Sequence, residues 1–331
     1  MKFLFFTDPH ISGRNPKSRK DYFPDTILEK MNEVTSIANE VGATAVFDGG
    51  DLYENPDPAS SIARTTCQIY CRFNMPVYSV FGNHTLHGQN PETFQRTTVG
   101  IIEGANLIKR LNIEKPTIIE ESGITVGITG SDFNYDIDKG DRVAEYMPKK
   151  PDNVDILIHV VHGFLADKKW HEDIPHTLID DILDTEADII LTGHEHKGYG
   201  IIKKNNKIFC NPGAIGRVSA STSEMERIPQ VAIIDIKEKD DYDIHLRKIS
   251  CAMPSEEVLD REELEKMVER KNHLSSFTNQ VSFYDIKGLN PYEVIEKLAK
   301  EDDLDPSVIK ETRNRMQKAE EDLSKNNNDD L

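Results

Sequence analysis

No apolar run in this chain approaches the roughly 20 residues that a helix needs to cross a bilayer, so a helical membrane span is not expected. Cysteine is scarce, with four in 331 residues, and a chain of this length does not depend on disulfides. Cys67 and Cys71 fall four apart on an expected helix and share a face, while Cys210 and Cys251 stand alone. With no further soft ligands nearby, the pair reads as two buried thiols rather than half of a zinc site. Positive charge is in short supply: 40 Lys+Arg face 58 Asp+Glu, a formal net charge of -18. That balance excludes broad, protein-wide attraction to a polyphosphate. A nuclease with such a charge needs bound cations, a local basic strip or a partner. The segment MKFLFFTDPH has one Lys and a short apolar run but no small-residue cleavage site, so it reads as a buried first strand and not a signal peptide. A cytoplasmic protein is expected.

What the chain has is a series of short apolar runs, each ending in a polar group with chemical use. Residues 2–7 run into Asp8-Pro9-His10, residues 44–47 into Asp48-Gly49-Gly50-Asp51, and residues 77–81 into Gly82-Asn83-His84. Residues 154–161 run into His162-Gly163, and residues 188–192 into Gly193-His194-Glu195-His196. Helices are expected between several of these strands. Ile27, Leu28, Met31, Val34, Ile37, Ala38 and Val41 keep helical spacing, with Gly42 as a stop. Asp57-Pro58 reads as the N-cap and first turn of a second helix through Arg72. The alternation predicts an α/β fold whose strands end at one site. Residues 199–210 read as a hairpin around Asn205-Asn206, and residues 230–236 and 242–250 as two further strands, which fits a second sheet packed on the first.

From residue 254 the composition turns acidic and helix-forming, with 20 Asp+Glu against 12 Lys+Arg over residues 254–331. Helical patterns cover residues 255–272 and 291–323. The expected organisation is a catalytic domain over 1–250, a helical extension over 251–323 that suits partner docking better than packing back on its own domain, and a disordered tail over 324–331.

Asp and His two residues apart at a strand end point the same way, so Asp8 and His10 can grip one cation. The two oxygens of Asp51 can bridge two cations, Asn83 offers an amide oxygen, and His162, His194 and His196 offer imidazole nitrogens. Such a mixed nitrogen and oxygen set suits two divalent metal ions, with Mn2+ ahead of Fe2+, Zn2+ and Mg2+. Two cations about 3.5–4 Å apart can hold a hydroxide between them and neutralise phosphate oxygens, so that the hydroxide attacks phosphorus in line with the leaving oxygen. His84, beside a ligand, is the candidate general acid for that oxygen. The remaining candidates near the site are Asp48, Glu54, Thr85, His87 and Arg217, as neighbours of the ligands or contacts to substrate. His159 reads as a core histidine and His87 as a surface-loop residue. Lys17, Arg19 and Lys20 form a small basic cluster that can line a nucleic-acid path. Arg227 stands between a phosphate contact and a salt bridge, and Trp170 and Tyr199 between base stacking and packing.

The ordered set Asp8-Pro9-His10, Gly50-Asp51, Gly82-Asn83-His84, His162-Gly163 and Gly193-His194-Glu195-His196 resembles the calcineurin-like metallophosphoesterase superfamily over residues 1–250. The resemblance implies a two-sheet sandwich flanked by helices. It also implies a first metal held by Asp8, His10, Asp51 and His196, and a second by Asp51, Asn83, His162 and His194. Within the superfamily, Gly50-Asp51-Leu52-Tyr53-Glu54, Gly213-Ala214-Ile215-Gly216-Arg217 and the C-terminal extension are similar to DNA double-strand-break repair nucleases of the SbcD type. That similarity implies a DNA exo/endonuclease subunit of a repair or recombination complex, DNA as substrate, and an SMC-type coiled-coil ATPase of the SbcC type as partner; a homodimer is one option for an oligomeric state that the sequence leaves open. The rival readings are a phosphoesterase on small nucleotides or phosphoproteins and a non-catalytic scaffold. The chain departs from the family twice. Thr85 stands where an Asp or Glu usually orients the preceding His, and Glu54 where the nuclease family often has a second His.

Overall fold

The computed structural model describes residues 1–140, 143–171, 173–261 and 309–318. In chain order its strands are β1 (Lys2–Phe6), β2 (Ala45–Asp48), β3 (Val77–Ser79), β4 (Lys109–Arg110), β5 (Thr117–Glu121), β6 (Ile124–Ser131) and β7 (Ile156–Gly163). They continue as β8 (Leu165–Ala166), β9 (Thr177–Leu178), β10 (Ile189–His194), β11 (Gly200–Lys204), β12 (Lys207–Asn211), β13 (Gln230–Glu238) and β14 (Asp241–Lys248). Two six-stranded sheets result, in the orders β14-β13-β1-β2-β3-β4 and β11-β12-β10-β7-β6-β5, with β8 and β9 paired apart from them. The expected α/β two-sheet architecture is thus what forms.

The composition of β1 shows why the sheets stack. KFLFF is apolar on both faces because both faces are covered. Phe3 and Phe5 join Phe47, Val126, Ile158 and Leu191 in the layer between the two sheets. Leu4 and Phe6 point the other way, onto Ile27, Met31 and Val34 of helix α1 (Phe23–Glu40). On the far side of the second sheet, Leu157, Val161 and Ile190 pack against Ile179 and Ile182. At about 25 cal/mol per Å² of buried apolar surface, these layers supply most of the drive to fold.

β1, β2 and β3 run parallel, as do β6, β7, β10 and β12, so their C-terminal ends gather on one edge of the sandwich. The register between β7 and β10 pairs His162 with Gly193 and Gly163 with His194, which sets the two imidazoles side by side. The hairpin of β11 and β12 turns on Asn205 and Asn206, both at positive φ (54° and 59°), as a two-residue primed turn requires.

Two local expectations change. Helix α2 (Ser60–Tyr70) starts later than expected, with Ala59 as an N-cap that lacks a side-chain bond. Asp57 instead sets its carboxylate 3.5 Å from His87 Nε2. Cys71 follows α2 and is exposed, and Cys67 is only half-buried, so they are not two buried thiols. Of the expected C-terminal helices, the short helix Ser255–Val258 and a helical stretch over 309–318 are described. Residues 262–308 and 319–323 of the extension, and the tail at 324–331, lie outside the described residues. No helix among the described residues is long and apolar enough to cross a membrane.

Candidate metal centre

All seven expected ligands stand on the loops and strand ends of that shared edge. Asp8 and His10 follow β1, Asp51 follows β2, Asn83 follows β3, His162 is in β7, and His194 and His196 end and follow β10. Asp8, His10, Asp51 and His194 have φ of 51°, 49°, 49° and 80°. Left-handed backbone in four non-glycine residues of one site is a costly arrangement, of order 1–3 kcal/mol each, and such residues cluster at functional centres. Gly50 has φ of 101°, and a Cβ there would lie 2.5 Å from His162 Nδ1, so only glycine lets Asp51 and His162 approach.

The donor atoms converge into clusters that can hold metal ions. Asp8, His10 and His196 form one, and Asp51, His162 and His194 a second, each with its atoms within 4.8 Å of one another. Asp51 lies between them: its Oδ2 is 3.2 Å from His162 Nε2 and 3.9 Å from His10 Nε2. Its Oδ1 accepts a hydrogen bond from the His84 backbone N–H at 2.9 Å. His84 joins His10 and Asp51 in a third such cluster, and its side chain is 37% exposed beside buried ligands. The His10 and His196 Nε2 atoms face each other at 3.0 Å.

Three observations fit this donor set to cations. Asp8 Oδ1, Asn83 Oδ1 and His162 Nε2 are buried with no hydrogen-bond partner, although a buried unpaired polar group costs about 1–3 kcal/mol. The other oxygen of Asp8 is committed, accepting from Thr7 Oγ1 at 2.6 Å and the His194 N–H at 3.0 Å, which aims Oδ1 inward. The remote nitrogens of two imidazoles are anchored: His162 Nδ1 bonds the Gly49 carbonyl at 2.7 Å and His10 Nδ1 bonds Glu54 Oε2 at 2.8 Å. Such anchoring turns Nε2 toward a metal.

The electrostatics agree. Burial works against a charged His10, but the nearby Asp8 carboxylate and the bond to Glu54 outweigh it and raise its pKa to about 10. His162 rises to about 9, burial again being outweighed, here by Asp51. Asp8 and Asp51 are held well below the usual carboxylate range because the surrounding imidazoles overcome the burial that opposes their charge. Burial, then the His162 charge, lowers His194 to about 4; burial, then His10, lowers His196 to about 3. His194 and His196 are thus neutral beside ionised carboxylates, ready to ligate a divalent cation, whereas His10 and His162 release a proton when a cation takes its place.

The remaining candidates divide. Asp48 is buried under the site, bonded by the Gly50 N–H and by Tyr70 Oη at 2.9 Å, and burial raises its pKa to about 7. Thr85 is buried and His84 draws no bond from it; His84 Nδ1 bonds the Glu54 carbonyl at 3.0 Å instead. His87 is buried rather than part of a surface loop. Arg217, expected near substrate, is turned inward with 2% of its surface exposed, donating to the Met253 and Arg227 carbonyls. The Arg227 side chain is also largely covered, 7% exposed, and pairs with Glu224 at 2.6 Å. Arg19 lies buried against Asp21 and the Arg217 carbonyl, which removes it from any nucleic-acid path. His159 is a core histidine bonded to Thr129 and the Glu145 carbonyl. Tyr199 bonds Thr192, and Trp170 packs edge-on against Phe164 at 5.1 Å. Sequence reasoning missed Thr7 and Glu224, which carry no motif of their own.

Residues 1–198 match the calcineurin-like phosphoesterase family model, and the chain belongs to that family. Its members are generally hydrolases built on a dinuclear metal centre. None of the curated protein sequences compared matches the chain. Among solved structures, it is similar to the calcineurin-like phosphoesterase YfkN from Bacillus subtilis, at 16% identity and a TM-score of 0.48, over 84% of this chain and 98% of that one. It is also similar to TT1561 of Thermus thermophilus, at 11% identity and a TM-score of 0.43, over 75% of this chain and 98% of that one. A novel archaeal phosphodiesterase is similar at 15% identity and a TM-score of 0.36, over 75% of this chain and 100% of that one.

Proposed function

We propose that this protein is a two-metal phosphodiesterase acting on DNA, as an exo/endonuclease subunit that works with an SMC-type coiled-coil ATPase. Asp8, His10, Asp51 and His196 hold one cation, and Asp51, Asn83, His162 and His194 the other. The observation that carries the reading is the pair of donor clusters on either side of Asp51, with His84 half-exposed at their edge. A bound pair of divalent cations supplies positive charge for the phosphate oxygens and activates a water.

The side chains do the rest. Asp51 spans the two clusters and, through the His84 N–H, fixes the loop that carries the acid. His84 Nδ1 donates to the Glu54 carbonyl, which leaves Nε2 as the working nitrogen. As the P–O bond breaks, its electron pair goes to the leaving oxygen, which takes the proton from His84 Nε2.

Two further features support a polyanionic substrate. The helix over 309–318 lies against the loop that follows His84: Asn90 Nδ2 donates to Gln317 Oε1 at 3.2 Å, and the Arg313 guanidinium sits 4.4 Å from the centre of the Tyr135 ring. Tyr135 in turn bonds the Gly88 carbonyl. This stretch carries Lys310, Arg313, Arg315 and Lys318 against Glu311 alone, a local excess of positive charge in a chain of net -18. The similarity of Gly50–Glu54 and Gly213–Arg217 to SbcD-type nucleases supports the same substrate and the ATPase partner.

The test is cleavage of single- and double-stranded DNA by the purified protein with Mn2+, Mg2+, Zn2+ or EDTA, alone and with its ATPase. Metal-dependent cutting is expected. Hydrolysis of a small phosphodiester or a phosphoprotein with no DNA cleavage under any condition would remove the nuclease assignment and leave the phosphoesterase.

A further inference from the structure

Family members usually orient the acid histidine with a carboxylate from the next residue, and this chain has Thr85 there. The side chain that stands where a carboxylate is needed comes from another loop. Glu54 follows Asp51 after the end of β2 and meets two histidines at once. Its Oε2 bonds His10 Nδ1 at 2.8 Å, and its backbone carbonyl bonds His84 Nδ1 at 3.0 Å. Its second carboxylate oxygen, Oε1, lies 3.8 Å from the same His84 nitrogen. The two rings it touches meet edge to face, with centres 4.7 Å apart and planes at 85°. The residue is itself held, since its N–H donates to the Ile11 carbonyl at 3.2 Å, and Ile11 and Tyr53 form a bridge between the two loops.

We propose that Glu54 is a shared positioning residue, which orients His10 on the first cation and His84 toward the leaving group. The inference rests on the metal-site and acid assignments made above. One residue serves both rings because each presents Nδ1 to it: His10 to the carboxylate, and His84 to the backbone carbonyl with the charged Oε1 3.8 Å away. Each Nε2 is then free for its own role, as a ligand in His10 and as a proton donor in His84. Glu54 touches neither substrate nor cation in this role.

Two readouts test it on the full chain. The first is Mn2+ binding to the chelator-stripped protein by calorimetry. Glu54→Ala is expected to weaken Mn2+ binding about 10–100-fold, the usual effect of losing a ligand's outer partner. Glu54→Gln keeps an oxygen that can accept from His10 and is expected to recover most of that affinity. The second readout is turnover, at saturating Mn2+, of a p-nitrophenyl diester and of an alkyl diester. An alkoxide leaves poorly without a proton, so Glu54→Ala and Glu54→Gln should both slow the alkyl substrate, by up to about 100-fold, while sparing the p-nitrophenyl one. Wild-type Mn2+ affinity in Glu54→Ala, or equal losses on both substrates with the fold intact by circular dichroism, would overturn the proposal. The calorimetric arm separates it from the functional reading: a protein that cuts no DNA but shows Glu54-dependent Mn2+ binding loses the nuclease assignment and keeps Glu54 at the metal centre.

Discussion

Arg227→Met tests whether the cationic scaffold behind the metal centre holds it in shape. Arg227 and Glu224 are buried, with side chains 7% and 5% exposed, and their charges meet at 2.6 Å. The same guanidinium donates to the carbonyls of Ala214 and Gly216. That loop is the back wall of the site: Gly216 N–H donates to the Asp8 carbonyl at 3.1 Å and Ala214 N–H to the His196 carbonyl at 3.0 Å. Removing one partner of a buried ion pair strands the other charge, at a cost of about 3–5 kcal/mol. The carbonyls left without a donor add to that, about 1–3 kcal/mol for each that water does not reach. Replacing both charges, as Arg227→Met with Glu224→Leu, removes the stranded carboxylate but not the orphaned carbonyls. The double variant should therefore recover about 3 kcal/mol and remain about 1–3 kcal/mol below wild type. Urea unfolding of the metal-stripped protein, followed by circular dichroism, measures both, and Mn2+ calorimetry on the folded variants reads the effect on the site. A single variant that costs less than about 1 kcal/mol, or a double variant no more stable than the single, would refute the reasoning.

Four other outcomes are expected. Asp51→Asn should abolish Mn2+-dependent cleavage and reduce the stoichiometry of bound Mn2+, because Asp51 belongs to one donor cluster and its Oδ2 lies 3.9 Å from His10 of the other; elemental analysis checks this. His84→Ala should cost about 10²–10⁴-fold on DNA while leaving Mn2+ affinity nearly unchanged, as measured by steady-state kinetics beside calorimetry. Mn2+ binding should release protons and tighten as pH rises, because the metal-free protein keeps His162 protonated to about pH 9 and His10 to about pH 10. By the same sign, those two groups stabilise the metal-free fold fully below their ordinary pKa of 6.5, and the contribution is lost as pH climbs through about 9 and 10. Calorimetry in buffers of different ionisation enthalpy counts the protons. Exchanging Lys310, Arg315 and Lys318 for Gln should raise KM for DNA without changing kcat on a p-nitrophenyl diester. The salt slope of binding should fall by up to about 0.7–0.9 for each phosphate no longer neutralised.

The sequence disclosed the site better than its surroundings, for a physical reason. Ligands at strand ends leave a local mark, because a buried apolar run must stop where a polar group begins. Asp8, Asp51, Asn83, His162 and His194 each sit at such a break, and the parallel register carries them to one edge. β5 and β6 left a weaker mark. β6 reads ITVGITGS, where two glycines interrupt the alternation, and β5 is an edge strand whose outer residues are solvated. The basic residues misled for the opposite reason. Arg19, Arg217 and Arg227 carry surface chemistry in their side chains, yet each lies inside, bound to carbonyl oxygens of loops distant in sequence. No local pattern reports that a loop will expose its carbonyls to a buried cation.

The same distinction explains how the chain tolerates its departure at Thr85. A metal ligand must contribute one atom at one place, so its identity is bound to its position on the strand end. A residue that orients a ligand needs only to reach the ligand's far nitrogen, and several loops border that space. Glu54 reaches both His10 and His84 from a loop tied to Ile11 by backbone bonds, so its carboxylate is placed by the sheet and not by the loop that carries His84. Orientation of the acid is thereby linked to the geometry of the first cation's ligand. If the two functions share one carboxylate, any variant that shifts the Ile11–Glu54 pairing should disturb metal affinity and leaving-group sensitivity together, whereas a shift confined to the His84 loop should disturb only the second.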